Sequence, residues 1–235
     1  MMDRGETEVL PLQGVRVIDF TQVMLGPCCT QILGDYGADV IKVEREKVGD
    51  LSRWSIGEDP DTLNNPVFTS LNRNKRSFTV DLKSEEGRSI VQRLIDGADV
   101  VVNNFRPGIM ERLGFGFEDV LSKNPRIIYA VGTGFGLGGP YAHKGGQDVL
   151  AQAVSGAMHR RADKSIPLNV YPTALADYAA GMHLVQGILL ALLQRNLTGK
   201  GQQVAVSLFN SMLAMQMQEA AMWICLLYTS DAADE

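Results

Sequence analysis

Short runs rich in β-branched residues alternate with segments of helical pattern along the chain up to residue 134. The runs are VRVIDF, ADVIKVE, SFTVDL, ADVVVN and RIIYAVGTG. One helical pattern passes through TQILGDYG, and another begins at Ser84, which is a favourable helix cap followed by two glutamates. Strands that alternate with helices pair in parallel, because each helix returns the chain to the same end of the sheet. The sequence therefore predicts an α/β fold with an open parallel sheet flanked by helices.

The carboxyl ends of the strands are where an open parallel sheet binds its ligands. In the predicted fold the segments TQVMLGP, EREKVGD, NNFRPG and GTGFGLGGPY lie at that edge. Basic side chains at strand ends or in loops of this unit are candidates for binding a phosphate-rich ligand, although a lone surface cation is more often simply solvated. These candidates are Arg45, Arg73, Lys75, Arg76, Lys83, Arg106 and Arg112.

The composition favours a soluble globular protein that binds small molecules. The chain has 235 residues, 45% of them hydrophobic, and can bury a substantial core. Its formal net charge of −5 gives no electrostatic reason to expect nucleic acid or an acidic membrane as a partner. The opening residues, MMDRGETEVL, are too charged for a signal peptide, and the apolar segment 181–193 is short for a membrane span.

The cysteines and histidines indicate a reducing compartment and no metal site. Cys28 and Cys29 are adjacent and so poorly placed to bond each other, while Cys225 is distant in sequence. We therefore expect a cytoplasmic protein. The histidines fall at no metal-ligand spacing with cysteines or carboxylates. They are His143, His159 and His183.

A Gly-x-Gly-x-x-Gly pattern occurs at Gly134, Gly136 and Gly139, directly after a predicted strand. The pattern is typical of dinucleotide-binding folds only when a helix begins behind it. Here Pro140 and Tyr141 follow instead. The sequence therefore favours a glycine-rich loop over a nicotinamide site.

A single carboxylate stands near the head of a long apolar segment, IPLNVYPTALADYAAGMHLVQGILLALLQR, which runs from Ile166 to Arg195. Asp177 is the only acidic residue in it. Aspartate is a favoured N-cap that accepts the free amide protons of a first turn. It is also a nucleophile that the helix dipole keeps ionised and able to attack a carbonyl. The two interpretations are compatible, and the segment alone does not separate them.

Seven motifs occur in order, within a match that covers about Leu12 to Met217. They are LQGVRVIDFTQVMLGP, GADVIKVEREKVGD, NRNKRSFTVDLKSEEG, ADVVVNNFRPGIMERLGF, NPRIIYAVGTGFGLGGPY, QDVLAQAVSG and ADYAAGMHLVQGILLALLQRNLTGKGQQVAVSL. The set resembles the family III CoA-transferases, which include formyl-CoA and carnitine CoA-transferases. The resemblance implies a Rossmann-like domain within a larger interlocked-dimer fold. It also implies an enzyme that moves CoA from an acyl-CoA donor to a small carboxylic acid through an aspartyl covalent intermediate. CoA is then a substrate, and no tightly bound cofactor is expected.

The same resemblance implies roles for individual residues. Asp177 matches the nucleophilic aspartate of the family, and Asp148 in GQDVLAQ matches an acidic position near the acyl group. The residues that match CoA-binding positions lie in the first four motifs. They are Gln22, Val23, Arg45, Val80, Lys83, Asn104, Phe105, Arg112 and Leu113.

Two departures from the family pattern bear on the reaction. Met24 stands where formyl-CoA transferases carry a glutamine, which counts against oxalate and formate as substrates. Gln147 stands where the racemase branch carries a histidine, and racemisation needs an acid/base pair. The alternatives are an acyl-CoA racemase and a non-catalytic CoA-binding protein in which Asp177 is only a cap.

The closing segment, CLLYTSDAADE, resembles a translated sequencing adapter. We therefore expect residues 1–224 to form an incomplete α/β CoA-binding and catalytic domain, and residues 225–235 to be a non-native tail. On this expectation the natural chain continues beyond Ile224 and forms a homodimer when complete. The chain of 235 residues by itself is then expected to be aggregated or inactive.

Overall fold

A computed structural model describes residues 9–54, 65–158 and 167–230. Its sheet contains β1 Arg16–Asp19, β2 Asp39–Glu44, β3 Lys75–Thr79, β4 Val100–Asn103, β5 Ile128–Thr133 and β6 Gln202–Ser207. The helices are α1 Leu25–Asp35, α2 Pro66–Leu71, α3 Glu85–Asp96, α4 Ile109–Leu113, α5 Phe117–Lys123, α6 Asp148–Val154, α7 Leu175–Thr198, α8 Leu208–Met215 and α9 Met217–Ser230. A short 3₁₀ helix covers Leu51–Arg53.

All strand pairs in the sheet are parallel, in the order β3-β2-β1-β4-β5-β6. From β1 the chain moves outward to β3, then returns to the other side of β1 and moves outward again through β6. The order therefore reverses between β1 and β4. Loops that leave neighbouring strands in opposite directions open a crevice at the carboxyl ends of those strands.

The central strands are apolar on both faces because helices cover both faces. Val100 and Val102 of β4 belong to a core cluster shared with α1 and α7, whereas Val101 belongs to the cluster shared with α3 and α5. All three side chains are fully buried. Continuous valine runs are what a parallel sheet covered on both sides requires.

Helix α7 packs closely against α1 at its first turns. A Cβ at Gly181 would come within 2.9 Å of the Leu25 carbonyl oxygen, so only glycine allows this approach. By length and composition alone α7 is long and apolar enough to cross a membrane, but half of its apolar window is buried inside the protein. That burial is what the core helix of a parallel sheet shows. The opposite face leaves Leu190, Leu193 and Leu197 exposed.

The predicted open parallel sheet and the helix after Ser84 are confirmed, and Ser84 Oγ accepts a hydrogen bond from the Gly87 amide at 2.9 Å. The helix predicted through TQILGDYG begins earlier, at Leu25, because Pro27 is tolerated in a first helical turn. Helix α9 runs across the domain boundary expected after residue 224. The non-native origin of the tail stays a prediction, and residues 231–235 lie outside the described part.

Candidate active site

A cleft of about 910 Å³ lies at the point where the strand order reverses. Its walls come from the loops after β1, β4 and β5, the segment before α6 and the first turn of α7. Polar and charged side chains at this site include Gln22, Asn104, Arg106, Lys144, Asp148 and Asp177. The cleft therefore lies at the edge that the sequence marked for ligand binding.

The loop after β1 is held in a strained conformation. Val23 has a φ of 67°, in the left-handed region that β-branched residues rarely adopt. Asn104 fixes the preceding residue, because its Oδ1 accepts from the Gln22 amide and its Nδ2 donates to the Gln22 carbonyl, both at 2.8 Å. Asp50 Oδ1 accepts from the Val23 amide at 3.1 Å. These bonds keep the loop in place despite its strain.

A buried ion pair stands beneath this loop. Lys42 Nζ lies 2.8 Å from Asp50 Oδ2, and it donates to the Thr21 carbonyl at 2.7 Å. Burial by itself would raise the pKa of Asp50, but the Lys42 ammonium and the amides of Ser52 and Val23 outweigh it and lower that pKa below its usual range. Asp50 thus stays ionised and accepts the hydrogen bond from the Val23 amide that fixes the loop.

Two glycines allow the two backbone segments that form the far wall of the cleft to contact each other. A Cβ at Gly134 would lie 2.5 Å from the Gly146 Cα, and a Cβ at Gly146 would lie 2.2 Å from the Gly134 Cα. No other residue permits these backbones to touch. The glycine pattern seen in the sequence therefore packs loop against loop, and turns rather than a helix follow Gly139.

Asp177 is the third residue of α7, and it does not cap that helix. The N-cap position is Ala174, which makes no side-chain hydrogen bond to the first turn. Asp148, from α6, takes the capping role: its Oδ1 accepts from the amides of Ala176 at 2.6 Å and Asp177 at 3.2 Å. The interpretation of Asp177 as the N-cap is therefore wrong. Sequence spacing could not show this, because the cap comes from a different helix.

The surroundings of Asp177 raise the pKa of its carboxyl group. Burial, and secondarily the nearby charge of Asp148, raise the pKa of Asp177 from the usual 3.8 to about 6, although the Leu25 amide donates a hydrogen bond that opposes the rise. The helix dipole, which was expected to keep this carboxylate ionised, does not prevent the rise. A group with this pKa is still about nine-tenths ionised at neutral pH and is more basic than an ordinary aspartate.

The structure brings together some of the residues proposed from the sequence. Those that line the cleft are Gln22, Val23, Asn104, Phe105, Asp148 and Asp177. Those outside its lining are Arg45, Val80, Lys83, Arg112 and Leu113. Arg45, Lys83 and Arg112 are exposed, and they follow or neighbour strand ends on the same edge of the sheet. Val80 and Leu113 pack into the core cluster below. The CoA-binding role of all these residues stays a prediction.

Three of the basic candidates are occupied by other partners. Arg73 pairs with Asp35 and Arg76 with Asp39, in both cases at the amino ends of the strands. The Lys75 side chain is buried, and its Nζ lies 3.1 Å from Asp19 Oδ2. Opposite charges already neutralise these side chains, so they are poor candidates for a phosphate-rich ligand.

Two cations in the cleft were not among the proposed CoA-binding residues. Arg106 lies against Gly145, where a Cβ would come within 2.8 Å of its guanidinium. Lys144 stands 4.2 Å above the centre of the Tyr141 ring. Arg106 was among the basic candidates for a phosphate-rich ligand, although it matches none of the family's CoA-binding positions, whereas Lys144 looks in the sequence like a solvated surface charge.

Within the described residues, no group of three or more His, Cys, Asp or Glu side chains is placed to hold a metal ion. His159, one of the histidines considered in the sequence, lies outside that part of the chain. Cys28 and Cys29 are free, buried thiols. Burial, more than any neighbouring charge, raises the pKa of both.

The family model of CoA-transferase family III matches residues 12–234. The chain belongs to this family. Among curated family III relatives, an acyl-CoA transferase of Fusarium pseudograminearum is 43% identical over 222 residues, which are 92% of this chain and 49% of that protein. A formyl-CoA:oxalate CoA-transferase of Escherichia coli is also 43% identical, over 94% of this chain and 51% of that protein. The chain thus spans about half the length of the curated relatives it matches.

Solved structures of similar proteins share the fold. A CAIB/BAIF family protein from Brucella suis superimposes with a TM-score of 0.86 at 36% identity, over 93% of this chain and 58% of that one. The protein Rv3272 from Mycobacterium tuberculosis gives a TM-score of 0.83 at 37% identity, over 92% and 60%. The resemblance of the seven sequence motifs to family III CoA-transferases and the predicted α/β architecture are therefore confirmed.

Proposed function

We propose that the whole protein is a CoA-transferase that moves CoA from an acyl-CoA donor to a small carboxylic acid, with Asp177 as its nucleophile. The observation that carries this proposal is the state of the Asp177 carboxylate. It lines the cleft, is relieved of helix capping by Asp148, and has its pKa raised by burial to about 6. Membership of CoA-transferase family III supports the same chemistry.

The reaction balances without any further reagent. Ionised Asp177 attacks the donor thioester, which forms a mixed anhydride and releases the CoA thiolate. The thiolate then attacks the aspartyl carbonyl, which gives an enzyme thioester and frees the donor acid. The acceptor carboxylate attacks that thioester to give a second anhydride. The released thiolate finally takes the acceptor acyl group and restores Asp177.

Each addition step develops negative charge on a carbonyl oxygen, which needs hydrogen-bond donors close to Asp177. The glycine-rich loop after β5 is our candidate, since Gly132 and Gly134 line the cleft. The Gly136 amide is less suitable, because it already donates to Thr133 Oγ1 at 2.8 Å.

CoA carries several phosphate charges, and we propose that two sets of cations meet them. Arg106 and Lys144 lie within the cleft, and Arg45 and Arg112 are exposed near the same edge of the sheet. In this proposal CoA enters and leaves as a substrate, and no tightly bound cofactor takes part.

Calorimetric titration with CoA tests this binding site. Arg45→Ala and Arg112→Ala should each weaken binding by about 1–3 kcal/mol if the guanidinium groups meet phosphates through charge-assisted hydrogen bonds. Arg73→Ala is the matched control, because Arg73 pairs with Asp35 at the opposite edge of the sheet and should leave the affinity unchanged. Unchanged affinity in both test variants would remove these residues from the site.

We further propose that the whole protein is a cytoplasmic homodimer. The exposed leucines along α7 form an apolar face that a second copy could cover. The free thiols of Cys28 and Cys29 suit a reducing compartment.

Labelled-CoA exchange between an acyl-CoA and a free acid tests the activity, using the protein translated from the complete reading frame. A transferase exchanges the label, whereas a racemase or a CoA-binding protein does not. Gln147 lines the cleft at the position before Asp148, and its amide cannot shuttle a proton. This counts against the racemase.

A further inference from the structure

Helix α6 presents two polar side chains, one turn apart, to the segment that leads into α7. Besides capping α7, Asp148 receives at its Oδ2 a hydrogen bond of 2.5 Å from Gln152 Nε2. Gln152 is fully buried. Its Oε1 accepts from the Tyr171 amide at 3.0 Å, and its Nε2 also lies 3.5 Å from the Thr173 carbonyl. The two side chains therefore hold both ends of the segment 171–177.

We propose that Asp148 and Gln152 are positioning residues: Asp148 caps α7 from outside, Gln152 holds Asp148 in place, and the Asp177 carboxylate is thereby left free to react. The reactivity of Asp177 rests on the proposed function, whereas the capping of α7 by Asp148 does not. Both oxygens of Asp148 are engaged by protein donors, one by the amides of Ala176 and Asp177 and the other by Gln152. Asp148 thus acts through Asp177 and not as a group that meets the substrate.

The first turn of a helix explains why an outside cap matters. Its amides have no partner within the helix and draw in the nearest acceptor. Ala174 has no side-chain oxygen, and Asp177 is the acidic residue of the first turn, so without Asp148 the Asp177 carboxylate becomes available to these amides. A carboxylate that accepts capping bonds becomes less basic and is turned away from the cleft. Asp148 removes that competition.

The groups around Asp177 determine how its pKa should respond when a neighbour is replaced. Asp148 faces it from α6, the Cys28 thiol faces it from α1, and the cations Arg106 and Lys144 line the same cleft. The Leu25 amide donates to it from the start of α1. Among these, removal of the Asp148 charge is the change that should lower the pKa of Asp177, while burial should keep it above the ordinary value.

Amide hydrogen exchange and a carboxyl titration by NMR test the proposal on the folded protein, without any substrate. Asp148→Ala removes both the acceptor and the charge, so the amides of Ala176 and Asp177 should exchange at least about fivefold faster. Asp148→Asn keeps the acceptor, so these amides should stay protected while the pKa of Asp177 falls. Gln152→Leu should speed exchange at Tyr171.

Two control variants make the result specific. Asp177→Ala should leave protection of the Ala176 amide within about twofold, because Asp177 is not the cap. Ser84→Ala removes a cap from α3 and should leave the α7 amides and the Asp177 titration unchanged. Faster exchange of the Ala176 amide in Asp177→Ala than in Asp148→Ala would overturn the proposal. So would an unchanged pKa of Asp177 in Asp148→Asn.

Kinetics then separate this inference from the proposed function. In the protein from the complete reading frame, Asp148→Ala should lower kcat for CoA exchange at least about tenfold, since misplaced reacting groups lose rate, and leave KM for the acyl-CoA unchanged. A raised KM with unchanged kcat would instead place Asp148 in substrate binding and overturn its positioning role. A wild-type protein without exchange activity would refute the proposed function, whereas the amide-exchange result would still decide the capping.

Discussion

Replacement of Asp177 by asparagine should make the folded protein more stable at neutral pH. The folded state prefers the protonated form of this carboxyl group, because burial and the charge of Asp148 raise its pKa from 3.8 to about 6. That preference favours folding fully below about pH 3.8 and is lost as the pH rises through about 6. At pH 7 the wild type therefore folds with an ionised group that its surroundings disfavour.

The size of the effect follows from the two pKa values. The difference between 3.8 and about 6 corresponds to about 3 kcal/mol of destabilisation at pH 7. Asparagine avoids the charge and can still accept the hydrogen bond from the Leu25 amide. It gives up the favourable interaction of a negative charge with the α7 dipole, about 0.3–1 kcal/mol. We expect a net gain of about 2 kcal/mol in the free energy of unfolding.

Urea unfolding of the wild type and Asp177→Asn at pH 4 and pH 7.5 measures this gain. The two proteins should be nearly equal at pH 4 and differ by about 2 kcal/mol at pH 7.5. Glu85→Gln is the control, since Glu85 is an exposed acidic residue in the first turn of α3 and should change stability by less than about 1 kcal/mol. A variant less stable than the wild type at pH 7.5, or a difference independent of pH, would refute the reasoning.

Two further changes probe the walls of the cleft. Gly134→Ala should weaken CoA binding at least about tenfold, because the new Cβ would lie 2.5 Å from the Gly146 backbone. Gly138→Ala is the control, since a Cβ there meets open space and CoA should bind normally. Calorimetry that shows equal affinities for the two variants would contradict this. Asp50→Ala should destabilise the protein by about 3–5 kcal/mol, since it leaves the buried Lys42 ammonium without its carboxylate partner. Urea unfolding measures that loss, and a change below about 1 kcal/mol would count against a buried pair.

The core strands could be predicted because their own residues, without any distant contact, are typical of buried strands. Valine runs such as the one in β4 are long enough to be strands, and their burial on both faces follows from parallel packing. Strand β6 was not predicted. Its residues alternate between exposed and half-buried at the edge of the sheet, so the run QQVAVS gives a weak signal.

The site was harder to predict than the fold because its contacts join distant elements. Asp177 was identified from the family resemblance, but its relief from capping depends on Asp148, 29 residues earlier in the chain. Asn104 was assigned to CoA, yet its amide holds Gln22 across 82 residues. Neither contact leaves a periodic mark in the sequence. The Asn104 contact arises only when the sheet brings the loops after β1 and β4 together, and the Asp148 contact arises only when α6 packs against the start of α7.

Covalent trapping at Asp177 tests the proposed mechanism most directly. The protein from the complete reading frame would be incubated with an acyl-CoA, treated with hydroxylamine or borohydride, and digested for peptide mass spectrometry. An anhydride or thioester on the side chain predicts modification of Asp177 that requires the acyl-CoA and is absent from Asp177→Asn. Brisk CoA exchange by a wild-type protein whose Asp177 stays unmodified, or by the Asp177→Asn variant, would contradict a nucleophilic Asp177.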